Sequence, residues 1–298
     1  MPRMLSALIL MSIFLSACAH ETDPGYIEEI DQWHAGRIER LTANDGWLTL
    51  VGLHPLHEGS NTLGSAPRVD VQLGDQAPAK VGTMVLDTDH VLFTSNPEVE
   101  VRLAGAADPQ LFNNMPLVSD TGGKPTVLTV GSLLFYVIDR NGLYFLRVKD
   151  TEAQALKEFS GVDRYAVDDR WRITAHLEEG PAMVSVPNVL GQNTKVPSPG
   201  VLVFKVKGKE FRLTPQGEPG KGLFIVFGDE TNGKTTYSGG RFLGTDPPAE
   251  DGTVVLDFNK ATNPPCVFSP YATCPLPSLD NLLNVKVTAG EMMWGDTH

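Results

Sequence analysis

Cysteine is scarce in these 298 residues, with only Cys18, Cys266 and Cys274 present, and no two stand as Cys-x-x-Cys, so thioredoxin-type redox chemistry and a four-thiolate zinc site are excluded. There is no Gly-rich loop ending in Lys and Ser or Thr, no His-Glu-x-x-His and no Gly-x-Ser-x-Gly, which leaves the commonest kinase, metalloprotease and serine-hydrolase readings without support. Positive charge is also short: 24 Lys plus Arg face 36 Asp plus Glu, and a net charge of −12 repels phosphate backbones, so nucleic acid is not an expected partner. Charged residues reach only 20%, while 29 Gly and 22 Pro interrupt the chain repeatedly, which excludes a long coiled coil or helical array. With 41% apolar residues there is nevertheless ample material for a core, and whole-chain disorder is excluded as well.

The longest apolar run is N-terminal. Arg3 precedes Leu5 to Leu15, a stretch well short of the roughly 20 residues a membrane-spanning helix needs. It ends in Leu15-Ser16-Ala17-Cys18, small residues directly before a cysteine, which reads as a lipoprotein signal over residues 1–17. The Cys18 thiol would take a diacylglyceryl group, and an N-linked palmitate-type chain would complete the anchor after cleavage. Ala19 stands where an inner-membrane retention signal would place Asp, so the expected location is the outer membrane, facing the periplasm. The expected partner is therefore a membrane reached through lipid rather than through charge.

Residues 18–23 read as a tether to a single β-rich domain over 24–298, with two halves meeting near 151–160. Asp23-Pro24 offers an N-cap and an N1 proline, and Ile27, Ile30, Trp33, Ile38 and Leu41 form one apolar stripe on an amphipathic helix. From Trp47 the period changes to two. Val69 to Leu73, Val99 to Leu103 and Val201 to Val206 read as strands, and Asn141-Gly142 and Asn232-Gly233 as hairpin turns. About fifteen strand candidates at sandwich spacing predict a mainly β fold, an antiparallel sandwich or barrel-like arrangement of sheets. Thr151 to Phe159 interrupts with a helical pattern. His54 and His57 flank Pro55 in a turn-like context with no third ligand, so they read as solvated loop histidines, and no metal or cofactor is implied.

Residues 257–277 hold the most specific text. Five prolines between Pro264 and Pro277 forbid a helix or central strand and require a rigid loop. Thr253 to Asp257 reads as the strand entering it and Asn284 to Thr288 as the strand leaving it. The string Pro270-Tyr271-Ala272-Thr273-Cys274-Pro275-Leu276-Pro277, with Asp45-Gly46-Trp47-Leu48, Gly240-Arg241-Phe242-Leu243 and Ala289-Gly290-Glu291, resembles the bacterial and archaeal family called domain of unknown function 1684 over nearly all of residues 40 to 292. That resemblance implies no activity. It departs at His54-Pro55, where the family pattern runs on to an aromatic residue. In an oxidising compartment Cys266 and Cys274 would close the loop with a disulfide worth about 2–3 kcal/mol. Relatives in reducing compartments would need the pair for packing or as a reactive thiol, which keeps that use open too.

Around the loop the sequence gathers polar groups suited to a site: Tyr237, Arg241, Asp257, Asn259, Asn263 and Tyr271, with Arg147 and Asp150 from the first half. Arginine can clamp an anion, aspartate can act as a base, and Asn or Tyr can donate to developing charge. The same residues could equally satisfy the loop's own backbone or form buried pairs. The expectation is a periplasmic module that binds a small polar or anionic ligand through Arg147 and Arg241. A hydrolase using Asp257 with Tyr237 or Tyr271, and an envelope scaffold, are the alternatives.

Overall fold

The structure is a computed structural model and describes residues 20–295. The signal segment and Cys18 lie outside the described residues. The protein is mainly β, with several antiparallel sheets and an N-terminal helix.

The helix Pro24–Thr42 begins where the local chemistry says it should, with the Asp23 carboxylate accepting from the Tyr26 backbone N–H at 2.9 Å and Pro24 in the first turn. Its buried residues are Tyr26, Ile30 and Leu41, so Tyr26 joins the apolar stripe.

Two five-stranded sheets follow. One has Leu50–Pro55, Leu143–Asp150 and Leu133–Arg140 as neighbours, and the other is centred on Gly59–Gly64, Gly82–Asp87 and His90–Ser95. They face each other across one core containing Leu63, Met84, Phe93, Leu128, Phe135 and Leu146. Asn141 and Gly142 turn the hairpin between Leu133–Arg140 and Leu143–Asp150 with φ of 56° and 82°. Positive φ at both centres is what a two-residue turn matching strand twist requires.

After the short helix Gln154–Glu158, a second core forms from Trp171, Ala175, Leu202, Phe204, Phe227 and Phe258 among others. It is built on a four-stranded sheet containing Arg172–Glu178, Val201–Val206 and Thr253–Asp257, and a three-stranded one centred on Phe224–Asp229.

Several sequence expectations change. The strand over Val69 to Leu73 contracts to Val71–Gln72, because the Asp70 carboxylate accepts from both Thr62 N (2.7 Å) and Thr62 Oγ1 (2.6 Å) and so competes with a ladder. Val99 to Leu103 contracts to Arg102–Leu103. Asn232-Gly233 lies in a longer connection between Phe224–Asp229 and Arg241–Gly244 and not in a tight hairpin. Asn284 to Thr288 forms no strand; the only ladder there is Leu282–Leu283, and the carbonyls of Val287 and Ala289 are taken by the Arg241 guanidinium instead. His54 lies half-buried in the strand Leu50–Pro55 opposite Leu146, while His57 is exposed.

The Pro-rich loop is a wedge. It is built of short 3-10 turns, Phe258–Lys260, Pro265–Val267 and Leu279–Asn281. Val267 and Phe268 pack with Leu41 and Leu48, and Ala272 and Cys274 pack with Leu50. Ser269 Oγ donates to the Leu50 carbonyl at 2.8 Å, tying the loop to the first strand of the N-terminal sheets. Gly290 follows with φ of 78°, and a Cβ there would lie 2.6 Å from the Ala261 carbonyl, so only glycine fits.

Candidate functional site

Three separate polar clusters receive most of the residues that the sequence puts forward. At the first, Asp257 ends its strand and caps the turn Phe258–Lys260. Its Oδ1 accepts from the Tyr26 hydroxyl at 2.7 Å and from Asn259 N and Nδ2, both at 3.2 Å. Asn259 also donates to the Asp168 carbonyl at 2.9 Å and accepts from Asp168 N at 3.0 Å. Burial, reinforced by Asp257, pushes the Tyr26 hydroxyl well above the usual tyrosine range. Tyr26 therefore stays a donor, and the cluster pins the helix to the second core.

At the second, Arg241 is fully buried beside an equally buried Asp229, with Nη2 donating to Asp229 Oδ2 at 2.7 Å and to the Val287 carbonyl at 2.9 Å. Asn263 N donates to Glu291 Oε2 at 2.6 Å, and Asn263 Nδ2 to the Met292 carbonyl at 2.7 Å. Arg37 of the helix completes it, its Nε donating to Glu291 Oε1 at 3.1 Å and its Nη2 to the Asn263 carbonyl at 3.1 Å. Burial pushes the Glu291 carboxyl up, and Arg37 pulls it back. Each of these side chains holds backbone, while Arg241 Nε and Asn263 Oδ1 are buried without a partner.

The third cluster differs. On the strand Leu143–Asp150 the alternation sends Leu146 and Val148 into the first core and Arg147 and Lys149 to the opposite face. Both cations are buried, at 4% and 8% exposure. Arg147 lies over the rings of Trp47 and Tyr136, at 5.5 and 5.9 Å from their centroids, and Lys149 over the same two at 5.6 and 6.0 Å. Arg147 Nη2 donates to Thr273 Oγ1 of the Pro-rich loop at 3.2 Å, and Lys149 Nζ to the Asp45 carbonyl. Arg140 Nε reaches the same Thr273 hydroxyl at 3.1 Å, its own charge matched by Asp120 at 2.8 Å. Arg147 Nε is buried and has no partner. Among the described residues, no carboxylate lies within 4.0 Å of Arg147 or Lys149. Burial holds the Lys149 ammonium below the usual lysine range; Arg147 beside it adds to this and the Asp45 charge opposes it. Two adjacent buried cations thus share the same aromatic walls, with one guanidinium N–H free.

The remaining candidates stand apart. Asp150 accepts from Gln76 Nε2 at 2.7 Å and Glu152 N at 2.9 Å, closing the turn after its strand. Tyr237 is half-buried against the helix-side cluster, and Tyr271 is exposed on the loop. Cys266 and Cys274 face each other as a disulfide, with Cα atoms 6.2 Å apart, inside the span such a bond can bridge. His20, Asp168 and Asp169 bring ligand-type atoms within 4.8 Å of one another. Asp168, however, is already held by Arg170 Nε and Nη2, and Asp169 by His20. A cavity of 620 Å³ around Asp229, Asn232, Gly240 and Pro277 includes none of the sequence-proposed site residues.

Sequence reasoning missed Lys149, Tyr136 and Tyr26. Arg147-x-Lys149 on a strand whose alternate residues are apolar was the available signal for the first, and Tyr136 sits directly opposite Arg147 in the ladder.

The fold and these clusters define a mainly β protein whose two cores are tied together by a disulfide-bearing, proline-rich wedge. Residues 157–292 match the family described as "Protein of unknown function (DUF1684)", so this segment of the chain belongs to that family, with the wedge inside it and Asp45 to Leu48 outside. A solution NMR structure of an uncharacterized protein of Haloarcula marismortui is 30% identical, covering 46% of this chain and 78% of its own, with a TM-score of 0.38. No curated protein matches.

Proposed function

We propose that the protein is a lipid-anchored envelope protein, facing the periplasm, that binds a small carboxylate or phosphate at Arg147 and Lys149. The observation that carries the reading is the pairing of two buried cations with no carboxylate within 4.0 Å of either among the described residues, in a cradle walled by Trp47 and Tyr136. A bound anion would supply the missing charge, accept from the free Arg147 Nε–H and raise the Lys149 pKa back towards its ordinary value. The reading is favoured over a hydrolase because the Asp257 Oδ1 lone pairs are committed to Tyr26 and Asn259, and neither Tyr237 nor Tyr271 hydrogen-bonds to it.

Titration calorimetry of the chain lacking residues 1–18, against a panel of small carboxylates and phosphates, is the test. Binding is expected to weaken at alkaline pH below 10.5, where an ordinary lysine keeps its charge. Lys149→Met should lose at least tenfold in affinity while the urea midpoint stays level or rises, since an apolar isostere no longer has a charge to desolvate. A panel without a binder, or a destabilised Lys149→Met, would leave the envelope-scaffold reading in its place. The anchor is tested separately: Cys18→Ser should leave unprocessed or membrane-released protein on fractionation, and a mutant processed and retained like wild type removes the lipid assignment.

A further inference from the structure

The tether and a basic hollow meet on one face of the second core. His20 binds Asp169, and Thr22 Oγ1 donates to the Val167 carbonyl at 3.4 Å, so the segment before the helix is laid along residues 167–169. Cys18 is two residues from His20, a reach of at most about 7 Å. Next to this point lies a cavity of 500 Å³ with an apolar floor that includes Trp171 and a rim carrying Lys205, Lys207 and Lys286.

Of the acidic groups here, Asp168 is matched by Arg170 at 2.6 Å, and Asp169 is hydrogen-bonded to the His20 ring, against three lysines on the rim. The three lysines are solvent-exposed, and among the described residues none has a carboxylate within 4.0 Å. Lys205 projects outward from the strand Val201–Val206 between the buried Phe204 and Val206, and Lys207 follows in the turn. A chain with a net charge of −12 thus keeps a local surplus of positive charge beside its own N-terminal tether. Long-range repulsion of the anionic body from an anionic surface is overcome most cheaply by presenting one cationic face at close range, within a Debye length of about 10 Å.

We infer that this face is a membrane-contact surface, in which Lys205, Lys207 and Lys286 take anionic phospholipid headgroups and Trp171 lies at the apolar floor beneath them. The inference rests on the reading of Cys18 as the lipid anchor, which would hold this face beside the bilayer. It fixes the orientation of the whole protein and leaves the Arg147 and Lys149 cradle, on the other core, free for soluble ligands.

The test uses the full acylated protein, purified from membranes and reconstituted into vesicles of phosphatidylcholine alone or of phosphatidylcholine with phosphatidylglycerol. Lysines are labelled with a membrane-impermeant amine reagent and read by peptide mass spectrometry, which also reports the acyl mass on Cys18. Lys205, Lys207 and Lys286 should label about fivefold more slowly in the anionic vesicles, the factor expected of a lysine held at an anionic surface. Lys124 and Lys195, exposed elsewhere, should not change. Equal labelling in the two vesicle types on a protein with acylated Cys18 overturns the contact surface and leaves the anchor standing. Unmodified Cys18 overturns both. Protection of the three lysines by inorganic phosphate in phosphatidylcholine vesicles, to the same extent as by phosphatidylglycerol, overturns the headgroup assignment in favour of a soluble phosphate site.

Discussion

Asp257 and Arg147 entered the sequence reading on equal terms, as one carboxylate and one guanidinium near a rigid loop, and what separates them is the company each keeps. Asp257 Oδ1 receives three donors from Tyr26 and Asn259, while Lys260 Nζ stands 3.7 Å from Oδ2. Replacing it by Asn preserves shape and lets the amide oxygen keep the Oδ1 bonds, but it removes the charge facing Lys260 and puts an NH₂ at the buried, unpartnered Oδ2 position, at a cost of about 1–3 kcal/mol. Asp257→Asn should therefore lower urea stability by that amount and leave anion binding at Arg147 unchanged; lost binding with an intact midpoint would return Asp257 to the site. Arg147 could be singled out from sequence because an arginine in an apolar strand is unusual. Lys149 shares that strand and its signal, but lysine at alternate strand positions normally marks a solvated face, and the rings of Trp47 and Tyr136 with the Asp45 carbonyl are what cover it. Tyr26 was hidden for a related reason: a tyrosine near a helix start reads as surface until its hydroxyl finds a distant carboxylate.

At the level of elements, the loop over 257–277 was the most legible part of the chain, because proline's fixed φ and missing N–H exclude the regular alternatives whatever the tertiary context. Its role was less legible. Five prolines announce rigidity, but not that Val267, Phe268, Ala272 and Cys274 turn inward to form small clusters with Leu41, Leu48 and Leu50. The hairpin at Asn141-Gly142 was readable from two residues, since both centres need positive φ. By contrast, the missing strand after Asn284 depended on Arg241 reaching across to the carbonyls of Val287 and Ala289, a long-range substitution of side chain for ladder that no local pattern records. The Cys266 and Cys274 bridge spans eight residues of this wedge. Cys266→Ala, or reduction, should lower stability by about 2–3 kcal/mol in the loop-entropy account. Guanidinium curves with and without reductant measure it, and coincident curves, or ready alkylation of both thiols in the native protein, would count against a closed bridge.

For the whole molecule, the helix Pro24–Thr42 and the wedge both help join the two cores, so groups buried along them report on global stability. His34, on the helix, lines a 440 Å³ cavity with Ile38, Val162, Asp163 and Trp294, and its Nε2 is buried without a partner. Burial holds its pKa below 6.5, Arg164 and Arg37 lower it further, and Asp31 opposes them. His54, in the first strand of the other core, is held below 6.5 by burial alone. For both, the unfolded chain takes up its proton first as pH falls, so the stability they contribute is complete above pH 6.5 and is lost as pH falls through the depressed folded values. Glu291 works in the opposite sense: its folded pKa lies above 4.5, so its contribution is complete below that pH and is lost as pH rises through the folded value. The two trends oppose each other in mildly acid solution, and wild-type curves alone would blur them. Subtracting the urea stability of His34→Gln from that of wild type at each pH isolates the histidine. That difference should stay constant above pH 6.5 and move steadily against the wild type below it, with the same shape for His54→Gln. A difference flat down to pH 5 would mean that His34 titrates as it does in the unfolded chain, and that its cavity is open to water.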